Sequence, residues 1–205
     1  MPEDLSRQAI RLPSGELHLM QPSESAELPD SGPIEWAPLA PYWSVLWRSG
    51  VALAREADDP ATLRGRRVVE LGCGLALPSL AAARAGAIVL ATDACPEALE
   101  LVAHNARSNG VRVETAALDW SDPKVLLELA PFDFVLAADV LYEGRSVAPL
   151  LELFPRLARE AWLADPGRPA ARAFLERAAG DWRIESSTHG EVTIHKLRQS
   201  SVTPT

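Results

Sequence analysis

From Arg66 to about residue 180 the chain alternates short apolar runs with amphipathic ones, and this alternation constrains the fold more than any other feature. The apolar runs are Arg66–Leu71, Ile88–Thr92, Val111–Thr115, Phe132–Ala138 and Ala161–Ala164. Between and after them lie helix-like runs at Ser79–Arg84, Glu97–Ser108, Pro123–Leu129, Val147–Arg159 and Ala170–Ala179. Strands that are apolar throughout need cover on both faces. Strands that alternate with helices join by right-handed crossovers into a parallel sheet. Gly86 and Gly110 follow helix-like runs, where a left-handed closing residue is wanted. The ending changes character. Residues 181–187 and 191–198 each alternate apolar with polar around a Thr-His-Gly turn, which predicts an antiparallel hairpin at one sheet edge. Residues 9–20 alternate in the same way around Ser14-Gly15 and predict a second hairpin. Residues 21–35, rich in Pro, Ser and Glu, read as a surface loop, and Trp43–Ala57 reads as a helix.

At 205 residues the chain fits one domain. It is 47% hydrophobic and 23% charged, enough for a real core and a soluble surface. Its 28 acids against 20 Lys and Arg give a net charge of −8, which argues against nucleic acid as the main partner, because phosphate binding needs a basic face. A basic protein partner stays open. Cys73 and Cys95 are too few for a disulfide framework, and four scattered histidines supply no metal-ligand spacing, so no metal is expected. The first residues lack the basic-then-apolar pattern of a secretory signal, and no apolar run approaches the ~20 residues that cross a bilayer. The expectation is a cytoplasmic protein with free thiols and no membrane partner; the oligomeric state is open, with a monomer favoured.

The stretch Val68–Pro78, VVELGCGLALP, joins a strand to a helix through two glycines one residue apart. Asp93 ends the next strand-like run, about one strand–helix–strand unit after Glu70. This is the layout of a nucleotide-type site at the carboxyl ends of a doubly wound sheet. Gly72 and Gly74 would let backbone approach the ligand, and Asp93 could accept both ribose hydroxyls. Dinucleotide sites carry a third glycine, where this chain has Leu77. Glu70 just before the first glycine repels a pyrophosphate and suits a cation. A sulfonium nucleoside bearing an ammonium group, such as S-adenosylmethionine, fits this pattern.

On these residues the chain resembles a class I, seven-stranded S-adenosylmethionine-dependent methyltransferase over roughly Trp36–Arg198. The resemblance implies a Rossmann-like α/β sheet of seven strands, mostly parallel, with an antiparallel hairpin at its end. It implies an N-terminal hairpin and loop extension at 1–35, a methyltransferase domain at 36–198 and a tail at 199–205. It also implies that Asp119 holds the adenine amino group and that Trp120 lies on the ring. Asp139 leaves the fourth strand with Tyr142 three residues on. This Asp-x-x-Tyr resembles a subgroup that methylates lysine side chains of proteins, some of whose bacterial relatives are labelled nicotinamide N-methylases. The tract Pro41–Gly50 resembles the same subgroup, with Trp47 closing over the methionine end of the cofactor. Asp-Pro-Gly-Arg after the fifth strand is similar to its flavoprotein-type members and offers Asp165 and Arg168 as substrate contacts.

The expected site is therefore Asp139 and Tyr142 for catalysis, with Trp47, Glu70, Gly72, Cys73, Gly74, Asp93, Ala94, Asp119, Trp120 and Ala138 around the cofactor. The leading reading is methylation of a protein lysine, with S-adenosylhomocysteine as the product. A small nitrogenous acceptor such as nicotinamide is an alternative, and so is a catalytically silent S-adenosylmethionine-binding module. A dinucleotide oxidoreductase is disfavoured by Leu77 and Glu70, and amide or adenine N-methylation by the lack of an Asn-Pro-Pro-Tyr type motif.

Overall fold

The structure, a computed structural model, describes residues 4–23 and 42–200. Two strands, β1 (Leu5–Leu12) and β2 (Gly15–Pro22), form the N-terminal hairpin in antiparallel register, with Leu12 opposite Gly15. Ile10, Leu12, Leu17 and Leu19 turn inward, as their alternation requires. A 3-10 turn at Tyr42–Ser44 leads to α1 (Arg48–Ala57) and the short α2 (Pro60–Leu63). There follow β3 (Arg67–Leu71), α3 (Leu77–Arg84), β4 (Ile88–Asp93), α4 (Pro96–Ser108), β5 (Glu114–Ala117), α5 (Lys124–Leu129) and β6 (Phe132–Ala138). The chain ends with α6 (Val147–Leu157), β7 (Ala158–Asp165), α7 (Pro169–Ala178), β8 (Trp182–His189) and β9 (Val192–Gln199).

The seven main strands lie in the order β5-β4-β3-β6-β7-β9-β8. Neighbours from β5 to β7 are parallel; β9 runs antiparallel to both β7 and β8. This is the expected doubly wound sheet with its terminal hairpin. Because β3 is flanked by β4 on one side and β6 on the other, the connections diverge there and open a crevice at the carboxyl ends of these strands. Successive residues face opposite sides. Val68, Phe134 and Leu136 pack with the N-terminal hairpin, α1 and α3; Val69, Val135 and Ala137 pack with α6 and α7. The hairpin thus shares a core with the sheet.

Several elements differ from the sequence reading. The third strand begins at Glu114, not Val111, because the chain leaving α4 is closed by the Val111 N–H on the Ala106 carbonyl and meets β4 only where Glu114 pairs with Leu90. Val111 and Val113 pack against the core without joining the sheet. The helix expected from Trp43 breaks at Trp47, which is extended (φ −69°, ψ 142°) with its indole N–H on the Tyr42 carbonyl at 3.1 Å. Helix α6 stops at Leu157, since Ala158 is extended and pairs with Phe132. The last turn sits at Gly190-Glu191, because β8 continues through His189 opposite Val192. Gln21 and Pro22, expected in the loop at 21–35, pair with Ser6 and Leu5 as the end of β2, and Gln199, expected in the tail, pairs with Trp182 and ends β9; residues 24–35 and 201–205 lie outside the described residues.

Candidate active site

A cavity of about 840 Å³ opens at the carboxyl ends of β3, β4 and β6. That is the size of a site for a nucleoside and a second small group. Trp47, Glu70, Gly72, Cys73, Gly74, Asp93, Ala94, Asp119, Trp120, Ala138, Asp139, Tyr142 and Arg168 all line it. Asp165 does not. Its Oδ1 accepts the N–H groups of Gly167 and Arg168, both at 2.6 Å, while Oδ2 is buried without a partner. Expected as a substrate contact, Asp165 instead shapes the loop that carries Arg168. Burial pushes its carboxyl up to about 6 against those two hydrogen bonds.

Both glycines of the loop have positive φ, 60° at Gly72 and 49° at Gly74. A Cβ on Gly72 would stand 2.9 Å from Trp120 Cζ3, and one on Gly74 would stand 3.0 Å from the Trp43 carbonyl oxygen. Both glycines line the cavity, and each also meets a protein neighbour. Gly72 makes room for the Trp120 ring, and Gly74 for the chain that enters α1.

Glu70 is 1% exposed. Its Oε2 accepts the Ser79 N–H at 2.9 Å and the Ser79 hydroxyl at 2.5 Å, tying the end of β3 to the first turn of α3. Burial, the largest cause, pushes its carboxyl up to about 8 despite the Ser79 bonds. Asp93 Oδ2 accepts the Gly74 N–H at 2.8 Å, and Oδ1 accepts the Cys95 N–H at 2.9 Å. Each oxygen keeps acceptor capacity for a ligand. The buried Cys73 thiol is pushed well up by desolvation, which keeps it a thiol. Asp119 is exposed and accepts the Ser121 N–H at 2.8 Å.

Asp139 has φ +58°, a left-handed backbone uncommon for a residue with a side chain and a mark of functional sites. Its N–H donates to the Ala164 carbonyl on β7, and its Oδ1 receives the Arg168 Nε at 2.5 Å. Arg168 also lies over the Trp47 ring, 5.9 Å from its centre. The Tyr142 ring is 44% exposed and pairs with Tyr42 at 6.2 Å between centres. Desolvation first, then Glu143, pushes the Tyr142 hydroxyl up, so it keeps its proton.

The cavity carries Glu70, Asp93, Glu97, Asp119, Asp139 and Glu143 against Arg145 and Arg168. The donor set suits a cationic nucleoside better than a phosphate. A family model described as "Lysine methyltransferase" matches residues 42–162. The chain belongs to that lysine methyltransferase family. The matched stretch runs from Tyr42 through the glycine loop and Asp139-x-x-Tyr142 into β7, and stops before Asp165 and Arg168. The chain is 33% identical over 135 residues to the electron transfer flavoprotein beta subunit lysine methyltransferase of Xenopus laevis, covering 62% of this chain and 53% of that protein. It is 33% identical over 150 residues to the histone-arginine methyltransferase METTL23 of Xenopus laevis, covering 71% and 62%. The chain thus spans little more than half the length of the curated relatives it matches. Among solved structures, a Thermus thermophilus 16S rRNA N2 G1207 methyltransferase in complex with AdoMet and guanosine superposes at a TM-score of 0.68 with 17% identity, over 97% of this chain and 52% of that one. At that identity the likeness is one of fold.

Within this lysine methyltransferase family member, Glu97, Glu143 and Arg145 line the cavity without having been expected there, and so does Tyr42, while Ser79 holds Glu70. Ser79 lies in the first turn of α3, right after Pro78, where a hydroxyl beside a helix start could have been read as a partner for Glu70. Tyr42 begins the 3-10 turn ahead of α1, lines the cavity and accepts the Trp47 indole N–H on its carbonyl.

Proposed function

We propose that the chain transfers a methyl group from S-adenosylmethionine to a lysine side chain of a protein. The observation that carries this reading is the convergence, in one anionic cavity, of the Glu70–Gly74 loop and Asp93 with the Asp139–Tyr142 end of β6. The residues fit the donor. Asp93, fixed by two backbone N–H groups, would hold the ribose; Asp119 and Trp120 the adenine; Glu70, the Gly72–Gly74 loop and Trp47 the methionine end. When bound, S-adenosylmethionine supplies an electrophilic methyl carbon on a sulfonium. The chain's own task is to present an amine with its lone pair free. Lysine titrates near ~10.4, so baring it at neutral pH costs about three units, or ~4 kcal/mol. Burial of the amine beside the sulfonium's positive charge would disfavour the ammonium, and the rings of Tyr42, Trp47 and Tyr142 line its approach. Asp139 accepts an N–H of the amine and fixes its direction.

The test is to supply the protein and tritiated methyl donor to a host lysate and to hydrolyse the labelled species. N-methyl-lysine in a protein supports the reading. Labelled arginine would move the acceptor to the kind named for METTL23, and label in a small ring compound would move it to a free metabolite. Binding of NADH with none of the methyl donor would overturn the methyltransferase reading itself.

A further inference from the structure

Arg168 makes three contacts at the reacting end of the cavity. Its Nε donates to Asp139 Oδ1 at 2.5 Å, its guanidinium lies 5.9 Å from the Trp47 ring centre, and its backbone N–H is held by Asp165 at 2.6 Å. The ion pair is withdrawn from water, with side chains 16% and 6% exposed, so it escapes the screening that makes surface pairs weak. Resting on the lysine reading above, we propose that Arg168 is a positioning residue that cancels the charge of Asp139, so that the carboxylate orients the acceptor amine without keeping it protonated.

The argument is electrostatic. An unpaired carboxylate within ~4–6 Å of an amine favours the ammonium by about 1–3 pKa units. That would enlarge the deprotonation cost that methyl transfer must already meet. A carboxylate offers about four acceptor positions, and the bond from Arg168 Nε takes one. The paired Asp139 therefore still accepts an N–H, but it no longer presents net charge. The proton lost by the amine goes to solvent; the N–H bond breaks and its electron pair stays on nitrogen.

The other charged groups at this end leave that task to Arg168. On the loop after β6, Glu143 is ion-paired with Arg145, the second cation among the described cavity residues. On β3, Glu70 is bound to Ser79 and pushed up to about 8 by burial. On β4, Asp93 is held by the Gly74 and Cys95 N–H groups. Asp165 ends β7 behind the loop, and its Oδ1 is held by two backbone N–H groups. Tyr142 keeps its proton, and Tyr42 contributes a hydroxyl.

The experiment uses the full chain and a peptide around the lysine labelled in the lysate. It measures kcat/KM against pH for the native protein, Arg168→Gln and Arg168→Lys. It also counts protons released when the peptide docks beside S-adenosylhomocysteine, by calorimetry in two buffers of different ionisation enthalpy. In Arg168→Gln the acidic limb should move up by about one unit or more. Turnover near pH 7.5 should fall ~10-fold and recover above pH ~9.5, and proton release should drop, while Arg168→Lys keeps the native limb. Arg168→Met, which removes the charge but keeps an unbranched side chain, should move the limb in the same direction, and it serves if Arg168→Gln does not fold. A loss that is equal at every pH, with proton release unchanged, would show a purely structural role and overturn the proposal while the lysine reading stands. If the labelled residue is not lysine, both fall.

Discussion

Ser79 holds Glu70 by both its backbone N–H and its hydroxyl, 2.9 and 2.5 Å from the same carboxylate oxygen. The pair is buried, and burial pushes the carboxyl up to about 8, so the ligand-free protein keeps it largely protonated near neutrality. A sulfonium entering the cavity favours the carboxylate and expels that proton. Affinity for S-adenosylmethionine should therefore rise with pH, by up to about tenfold per unit, and level off above about 8. Glu70→Gln should bind more weakly at pH 8 and lose the slope. Calorimetric titrations at pH 6, 7 and 8 decide it, and a flat native profile would dissociate Glu70 from the cation.

The same shift sets a sign for stability. The carboxyl's folded value, about 8, lies above its ordinary 4.5. Between the two, the folded state holds a proton that the unfolded chain has lost, so this group's stabilising contribution is complete below 4.5 and is lost as pH rises to about 8. The native melting temperature should fall relative to that of Glu70→Gln over this interval, at roughly 2–4 °C per kcal/mol for a chain of this size. Parallel melting curves at pH 5 and pH 8 would contradict it.

The sheet was legible in the sequence because strands buried on both faces leave unbroken apolar runs, as in Val68–Leu71 and Phe132–Ala138. The glycine loop and Asp93 were legible because they sit at strand ends that spacing alone locates. What escaped depends on contacts between distant segments. Residue type made Arg168 a candidate for substrate, yet the turn held by Asp165 aims it at Asp139, 29 positions away. That Gly72 also makes room for the Trp120 ring is a contact that nothing local reveals. The break at Trp47 follows from a hydrogen bond to Tyr42 that helical periodicity does not foresee.

Gly72 therefore offers a direct test of the site's packing. A methyl there meets Trp120 Cζ3 at 2.9 Å and Val140 Cγ1 at 3.2 Å, and φ of +60° strains any other residue. Gly72→Ala should cost about 1–3 kcal/mol of stability. It should also push the indole off its seat, changing the near-ultraviolet circular dichroism and lowering donor affinity. Urea unfolding and donor titration check this together. Native stability with native affinity would mean that Trp120 moves freely and is not positioned by the loop.

The N-terminal hairpin is held by an unusual seam. Among the described residues the outer edge of β2 meets no further strand; Asn105 on α4 and Asn109, the residue that caps its C-terminus, serve in its place. Asn105 accepts the Met20 N–H at 2.8 Å and donates to the Met20 carbonyl at 3.0 Å. Asn109 accepts the His18 N–H at 2.8 Å and donates to the His18 carbonyl at 2.6 Å. Each amide thus mimics a strand residue, satisfying a donor and an acceptor that would otherwise lie unpaired. Asn105 is fully buried, so Asn105→Ala leaves both Met20 groups without partners and should cost about 1–3 kcal/mol. Asn105→Asp keeps the acceptor but sets a carboxylate oxygen against the Met20 carbonyl, so it should be at least as damaging near neutral pH and milder in acid, where a protonated carboxyl donates again. Hydrogen exchange locates the effect. The Met20 amide should exchange faster in Asn105→Ala and the His18 amide in Asn109→Ala, while the amides of β3 stay protected. Protection of Met20 at its native level in Asn105→Ala would mean that the Ile10, Leu12, Leu17 and Leu19 core alone docks the hairpin.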